Sequence, residues 1–177
     1  MKEVATMSMP ELAAFVCSHL RQQGIEVVLS GGGCVEIYSE GKYVSYDLDF
    51  IENLSSGRRL LKDALAQIGF REEGRYFTHP DTEYFLEFPA GPLAVGDEPP
   101  QQVLVLKYET GELFALSPTD CIKDRLAAFF HWNDQQCLEQ ALLVEKNSEI
   151  DLAAIRRWSL KERQKSKFEQ FKELLEK

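Results

Sequence analysis

Val27-Val28-Leu29-Ser30-Gly31-Gly32-Gly33-Cys34, followed after a short gap by Ser45-Tyr46-Asp47-Leu48-Asp49-Phe50, is the pair of segments that decides the fold of this chain. The first is an apolar run too short for a helix that breaks into three glycines, the form of a strand turning tightly into a helix expected over Cys34–Ser39. The second alternates. Successive side chains of a strand point to opposite faces, so Asp47 and Asp49 share one face while Tyr46, Leu48 and Phe50 are expected to face a core. Glycines let backbone come close to a ligand, and a helix start offers unpaired N–H groups and a positive dipole end, so phosphate is the natural guest of the turn. Two carboxylates at this spacing suit a hard cation such as Mg²⁺, which takes oxygens from one or two carboxylates and completes its shell with water and substrate phosphates. Each half also has a plain alternative. Three glycines alone are more often only a tight turn, and Asp-x-Asp alone is common on strands with one wet face.

The flanking segments extend the pattern. Ser8-Met9-Pro10-Glu11 has capping-box form, with Leu12, Phe15, Val16 and Leu20 at helical spacing behind it, giving a helix that ends near Gly24. Ile25–Leu29 reads as a buried strand and Val44–Ile51 as the acid-bearing one. Ser55 or Ser56 is expected to cap a helix carrying Leu60, Leu61, Leu65 and Ile68. Phe70–His79 and Thr82–Phe88 read as strands joined at Pro80-Asp81. The proline- and glycine-rich stretch from Pro89 to Pro100 reads as a loop placed to border the acids. Val103–Tyr108 and Leu113–Leu116 flank Glu109-Thr110-Gly111 as a hairpin. Ser117-Pro118-Thr119-Asp120 then opens a helix, by capping-box spacing and by proline at its first position, and the pattern stays helical to the end, with restarts expected near Asn133, Ser148 and Ser159. The last helix gathers Phe168, Phe171, Leu174 and Leu175 on one side, a stripe that must be covered.

With these pieces in order, the chain resembles the nucleotidyltransferase superfamily. The resemblance rests on Leu29-Ser30-Gly31-Gly32, on Asp47-Leu48-Asp49-Phe50, and on Leu86-Glu87-Phe88, where the superfamily places a third carboxylate on a later strand. The 14 residues from 33 to 46 put the two motifs at the long end of its spacing, and the likeness spans roughly the first two-thirds of the chain. The short sequence with Ser45 two residues ahead of Asp47 is most similar to minimal and toxin-type bacterial members. One departure is that many relatives place an arginine near Tyr43, where this chain has only Lys42. The resemblance implies an α/β (α+β) fold: a mixed sheet flanked by helices over residues 1–116, and a helical region over 117–177 packed on it. It implies transfer of a nucleoside monophosphate from a nucleoside triphosphate to an acceptor hydroxyl, with Asp47, Asp49 and Glu87 holding Mg²⁺ or Mn²⁺. Ser30, Gly31 and Gly32 would then meet the phosphates, with Lys123 or Arg125 as the basic residue near the triphosphate. Glu87 would complete the metal shell or act as general base, although an acid between Leu86 and Phe88 also suits any half-buried strand, and Lys123 and Arg125 equally suit ion pairs with Asp120 or Asp124.

Charge and composition bound the partners. The net charge is −9, and the whole acidic excess lies in residues 1–119, which disfavours sequence-independent DNA binding, although a metal locally reverses the sign. An antibiotic, a protein hydroxyl and a tRNA end all stay open as acceptors. No apolar run reaches the ~20 residues of a membrane helix and Met1-Lys2-Glu3 starts no signal peptide, so a cytoplasmic protein is expected. Cys17, Cys34, Cys121 and Cys137 fall at scattered, mostly apolar positions and read as buried free thiols. His131-Trp132 is read either as a contact for a base or partner or as a capped helix end with a packed tryptophan. Fold does not fix function. The rival readings are an inactive member of the fold that binds a partner, such as one half of a toxin–antitoxin pair, and a regulator that senses nucleotide without transferring it.

Overall fold

The computed structural model describes residues 2–52 and 56–176. After a short 3₁₀ turn at Val4–Thr6, helix α1 (Met9–Gln22) begins where the Glu11 carboxylate accepts the Ser8 backbone N–H at 2.8 Å, and it buries Leu12, Ala13, Val16, Cys17 and Leu20. Strand β1 (Val27–Ser30) runs directly into α2 (Gly31–Tyr38), and β2 (Asp47–Glu52) follows. The chain continues through α3 (Arg58–Ala66), β3 (Arg71–Glu73), β4 (Tyr76–Thr78), β5 (Phe85–Glu87), β6 (Val103–Tyr108) and β7 (Gly111–Leu116). Four helices close it: α4 (Pro118–Trp132), α5 (Gln135–Asn147), α6 (Leu152–Lys161) and α7 (Lys165–Leu175).

All seven strands form one mixed sheet in the order β3-β4-β5-β2-β1-β7-β6. The acid-bearing β2 sits in the middle, antiparallel to β1 and parallel to β5. Leu48, Phe50, Leu86 and Phe77 are fully buried and, by register, lie on one face of β2, β5 and β4, which leaves the alternate residues of those strands to the other face. This is the α/β fold expected. Among the described residues no helix is long and apolar enough to cross a membrane.

Several local expectations are corrected. The glycines do not precede the second helix but form its first turn. Phe70–His79 is not one strand: the chain reverses at Gly74, where φ is +65°, and makes the β3–β4 hairpin. Tyr46 does not enter the core, because β2 starts one residue later, and it is 50% exposed. Ser55 lies outside the described residues, while Ser56 donates its hydroxyl to Glu52 at 2.6 Å and leaves the α3 cap position to Gly57. The restart expected near Ser148 is seen, with α5 ending at Asn147 and α6 opening at Leu152, while the one expected near Ser159 comes later, at Lys165. Asp151 caps α6, accepting the Ala154 N–H at 2.8 Å, and Ser159 lies inside α6 with its hydroxyl donated back to the Ile155 carbonyl at 2.8 Å.

The other end signals are seen as read. Asp120 donates its backbone N–H to the Ser117 hydroxyl at 3.1 Å to open α4, and Asn133 ends that helix in the left-handed conformation before Asp134 caps α5. All four cysteines are buried and unbridged. Phe168 and Phe171 are buried, and Trp158 stacks on Phe130 with ring centroids 5.5 Å apart while donating its indole N–H to the Val95 carbonyl at 3.1 Å. The loop from Pro89 to Pro100 is thereby held against α6.

Candidate active site

The site is built where β1 turns into α2. Gly31 takes φ of +61°, and a Cβ there would lie 2.2 Å from Asp49 Oδ2. At Gly32 a Cβ would lie 2.6 Å from the Ser45 hydroxyl. The turn is therefore pressed directly onto the acid-bearing strand, and a side chain at either glycine would push it off. Ser30 donates its hydroxyl to the Asp49 carbonyl at 3.3 Å, a further tie between the two strands.

Register places the acids. Ser30 pairs with Asp49, Asp49 with Glu87, and Glu87 with Tyr76, so these four residues form a row across β1, β2, β5 and β4 on the face opposite Leu48 and Leu86. Asp47 pairs with Phe85 one step away on the same face. Burial, then the negative charges of Asp47 and Glu87, push the Asp49 carboxyl up to about 6. Asp47 is anchored by the Ser45 hydroxyl, which donates to its Oδ1 at 2.8 Å, and the Ser45 backbone N–H is held in turn by Glu36 at 2.6 Å.

The donors are hard oxygens, and the Asp49 carboxyl carries charge that lacks a full counterion. Among the described residues no group of three His, Cys, Asp or Glu side chains is arranged to hold an ion by itself. Oxygen donors of this kind suit a hard cation such as Mg²⁺, which takes one or two carboxylates and draws the rest of its shell from water and phosphate. Asp47 and Asp49 are the pair that would hold it.

The two basic candidates part company. Lys123 is 3% exposed and pairs with buried Asp120 at 3.2 Å; Asp120 also accepts the Gln102 N–H at 3.1 Å. This ion pair is buried and ties α4 to the start of β6. Arg125, on the same helix, pairs with Asp124 at 2.5 Å and reaches Gln140 at 3.4 Å, and its charge acts on both Asp49 and Tyr43. Arg125 thus brings a positive charge to the region where Lys42 was the nearest candidate, while Lys42 donates to Asn147 at 2.7 Å.

Two residues beside the acids were not foreseen. Arg75, in the β3–β4 turn, reaches Glu87 at 3.5 Å and lies over the Tyr76 ring with its guanidinium carbon 4.7 Å from the centroid. Tyr76 in turn meets Phe85 edge-on, centroids 4.7 Å apart. The signal that finds them is Gly74, whose turn was hidden inside an otherwise continuous strand pattern. Elsewhere, His131 pairs with Glu162 at 3.0 Å, and Trp132 is 77% exposed, so of the two readings of this pair the packed tryptophan is not seen. His19 bonds the Ala64 carbonyl at 2.8 Å and His79 packs on Phe70.

No family model matches the sequence, and no curated protein matches it. Solved structures share its fold. An antigenic nucleotidyltransferase-like protein from Paracoccidioides brasiliensis superposes with a TM-score of 0.56 at 12% identity, over 77% of this chain and 74% of that one. The antibiotic-resistance factor ANT(2″)-Ia in solution gives 0.52 at 13% identity, over 95% of this chain and 94% of that one. The same factor in complex with adenylyl-2″-tobramycin gives 0.52 at 12%, over 92% and 97%. The architecture of this chain is therefore a nucleotidyltransferase-like fold.

Proposed function

We propose that this chain is a metal-dependent nucleotidyltransferase that moves a nucleoside monophosphate from a nucleoside triphosphate to a hydroxyl acceptor. The observation that carries the reading is the seat of Gly31 against Asp49, with no room for even a Cβ between a helix-start turn and a charge-stressed carboxylate. Helix-start N–H groups suit phosphate and a carboxylate suits a cation, so their proximity supports a metal–triphosphate site. We take residues 1–116 as the nucleotidyltransferase-like core and 117–177 as a helical region packed on it.

In this reading the backbone at Gly31 and Gly32 holds the β- and γ-phosphates. Ser30 supports the turn, and Asp47 and Asp49 would hold Mg²⁺ or Mn²⁺. When bound, that cation supplies neutralisation of phosphate charge and alignment of the α-phosphate for in-line attack. Glu87, beside Asp49 and held by Arg75, takes the proton from the acceptor hydroxyl as its oxygen bonds to the α-phosphorus and pyrophosphate departs. Arg125 offsets negative charge around Asp49 from the α4 side. Lys123 has no part in this, being committed to Asp120.

Calorimetry with the full chain tests the reading. The triphosphate should bind at least tenfold more tightly with Mg²⁺ or Mn²⁺ than without, and Asp47→Asn combined with Asp49→Asn should remove the difference. Equal affinity with and without metal refutes it. A second reading, a fold that docks a protein partner such as an antitoxin, draws on Trp132, whose 77% exposure is unusual for a tryptophan. Absence of any triphosphate binding, together with loss of a partner complex in Trp132→Ala, would favour it.

A further inference from the structure

The row Ser30, Asp49, Glu87, Tyr76 has a direction. Its β1 end carries the glycine turn, where the triphosphate tail sits in the proposed reaction, and its β4 end lies three strands away, roughly 14 Å at ~4.8 Å per strand. An in-line displacement needs the attacking oxygen on the side of the α-phosphorus opposite the departing pyrophosphate. With pyrophosphate at the glycines, the acceptor enters over Glu87 from the β4–β5 side.

That side has a definite chemistry. Arg75 lies over the Tyr76 ring, Tyr76 and Phe85 meet edge to face, and Phe85 is the register partner of Asp47. The result is a tier of aromatic and guanidinium surface bordering the acids. Arg75 is 70% exposed and places its positive charge within 3.5 Å of Glu87. A polycationic acceptor would meet that guanidinium where it needs a carboxylate, whereas a flat ring would find a stacking partner.

Resting on the nucleotidyl-transfer reading above, we propose that Arg75, Tyr76 and Phe85 form the acceptor side of the acid-bearing face and take a hydroxyl compound that carries a flat unsaturated ring and no dense positive charge. The ring stacks on the hairpin. Its hydroxyl is then delivered to Glu87, which accepts the proton while the hydroxyl oxygen bonds to the α-phosphorus and the bond from that phosphorus to the pyrophosphate oxygen breaks.

The test uses the full chain with Mg²⁺ and a saturating non-hydrolysable triphosphate analogue, so that the nucleotide subsite is filled. Adenosine serves as the flat-ring hydroxyl probe and tobramycin as the polycationic one, both titrated by calorimetry. Adenosine should bind, Tyr76→Ala should weaken it roughly tenfold, and Tyr76→Phe, which keeps the ring, should hold it within about twofold of wild type. Arg75→Glu should weaken adenosine and strengthen tobramycin. Tighter binding of tobramycin than of adenosine to the wild type, or an adenosine affinity indifferent to Tyr76→Ala, overturns the assignment. Triphosphate affinity is measured on each variant alongside. If it is retained while adenosine fails to bind, only the acceptor assignment falls; if the wild type shows no metal-dependent triphosphate binding, the transfer reading falls and the assignment with it.

Discussion

Asp49 and Glu87 are register partners on two adjacent parallel strands, side by side on one face of the sheet, and among the described residues only Glu87 has an ion-pair partner, Arg75. The imbalance stores a cost in the folded chain. Asp49 is half-buried and faces like charges, and its carboxyl stands at about 6 against an ordinary 3.8.

Because the folded pKa lies above the unfolded one, the native chain holds the extra proton between these values. Unfolding free energy therefore falls as pH rises from about 4 to about 6. Above that window the full penalty is on the order of 3 kcal/mol. Asp49→Asn should raise stability at pH 7.5 by about 1 to 3 kcal/mol and change it little at pH 4. Mg²⁺ should stabilise the wild type at pH 7.5 and not at pH 4. Urea unfolding at the two pH values checks both, and equal shifts at each pH would rule out an ionisation-linked cost.

Gly31→Ala should be the most damaging substitution in the glycine turn. It combines a φ of +61° with a Cβ 2.2 Å from the carboxylate that the site depends on. Strain of this kind costs about 1 to 3 kcal/mol, and the displaced Asp49 should lower triphosphate affinity by at least tenfold. Gly32→Ala meets the Ser45 hydroxyl at 2.6 Å instead, and breaking the bond from Ser45 to Asp47 should weaken metal binding first. Thermal unfolding and calorimetry on the two variants separate these effects. A Gly31→Ala protein with normal affinity would mean the turn has no role in binding.

What was legible beforehand follows from the range of each signal. Alternation in Asp47–Phe50 and the glycines after Leu29 are local patterns, and they located the turn, the acid strand and the relation of Asp47 to Asp49. The pairing of Asp49 with Glu87 spans 38 positions and was reached only through the resemblance, because strand order is not written in periodicity. Arg75 and Tyr76 were missed since a two-residue hairpin at Gly74-Arg75 interrupts a run whose apolar alternation continues through it. Lys123 and Arg125 lie on one helix two residues apart, and only packing decides that one meets Asp120 in the interior while the other pairs with Asp124 and reaches Gln140. For Trp132 the sequence left two readings open, and the left-handed Asn133 decides between them by turning the chain away and leaving the ring in water.

The same contrast makes Lys123 and Arg125 separable by experiment. Lys123→Ala leaves Asp120 buried without its cation and should cost about 3 to 5 kcal/mol, with triphosphate affinity of the folded fraction unchanged. Arg125→Ala should lower that affinity several-fold, because a positive charge acting on Asp49 is removed. Denaturant midpoints and calorimetry on both variants decide it. If Lys123→Ala were the one that lost affinity at full stability, the assignment of the two residues would be reversed.

The terminal helix gives the last expectation. α7 carries its apolar side inward: Phe168 is 1% exposed and Phe171 is fully buried, while Lys167 extends its ammonium back to the carbonyls of Phe129 and Phe130 at 2.8 and 2.7 Å, at the end of α4. A surface covered this way within one chain needs no second copy to shield it. Phe171→Ala should then cost about 3 to 5 kcal/mol through the cavity it leaves. Removing residues 166–177 should lower the melting temperature further, by exposing Phe129 and its neighbours, without changing the mass in solution. Light scattering and thermal unfolding of the truncated chain read the two quantities independently. A truncated protein that melts like the wild type yet changes from dimer to monomer would show instead that α7 is an assembly surface.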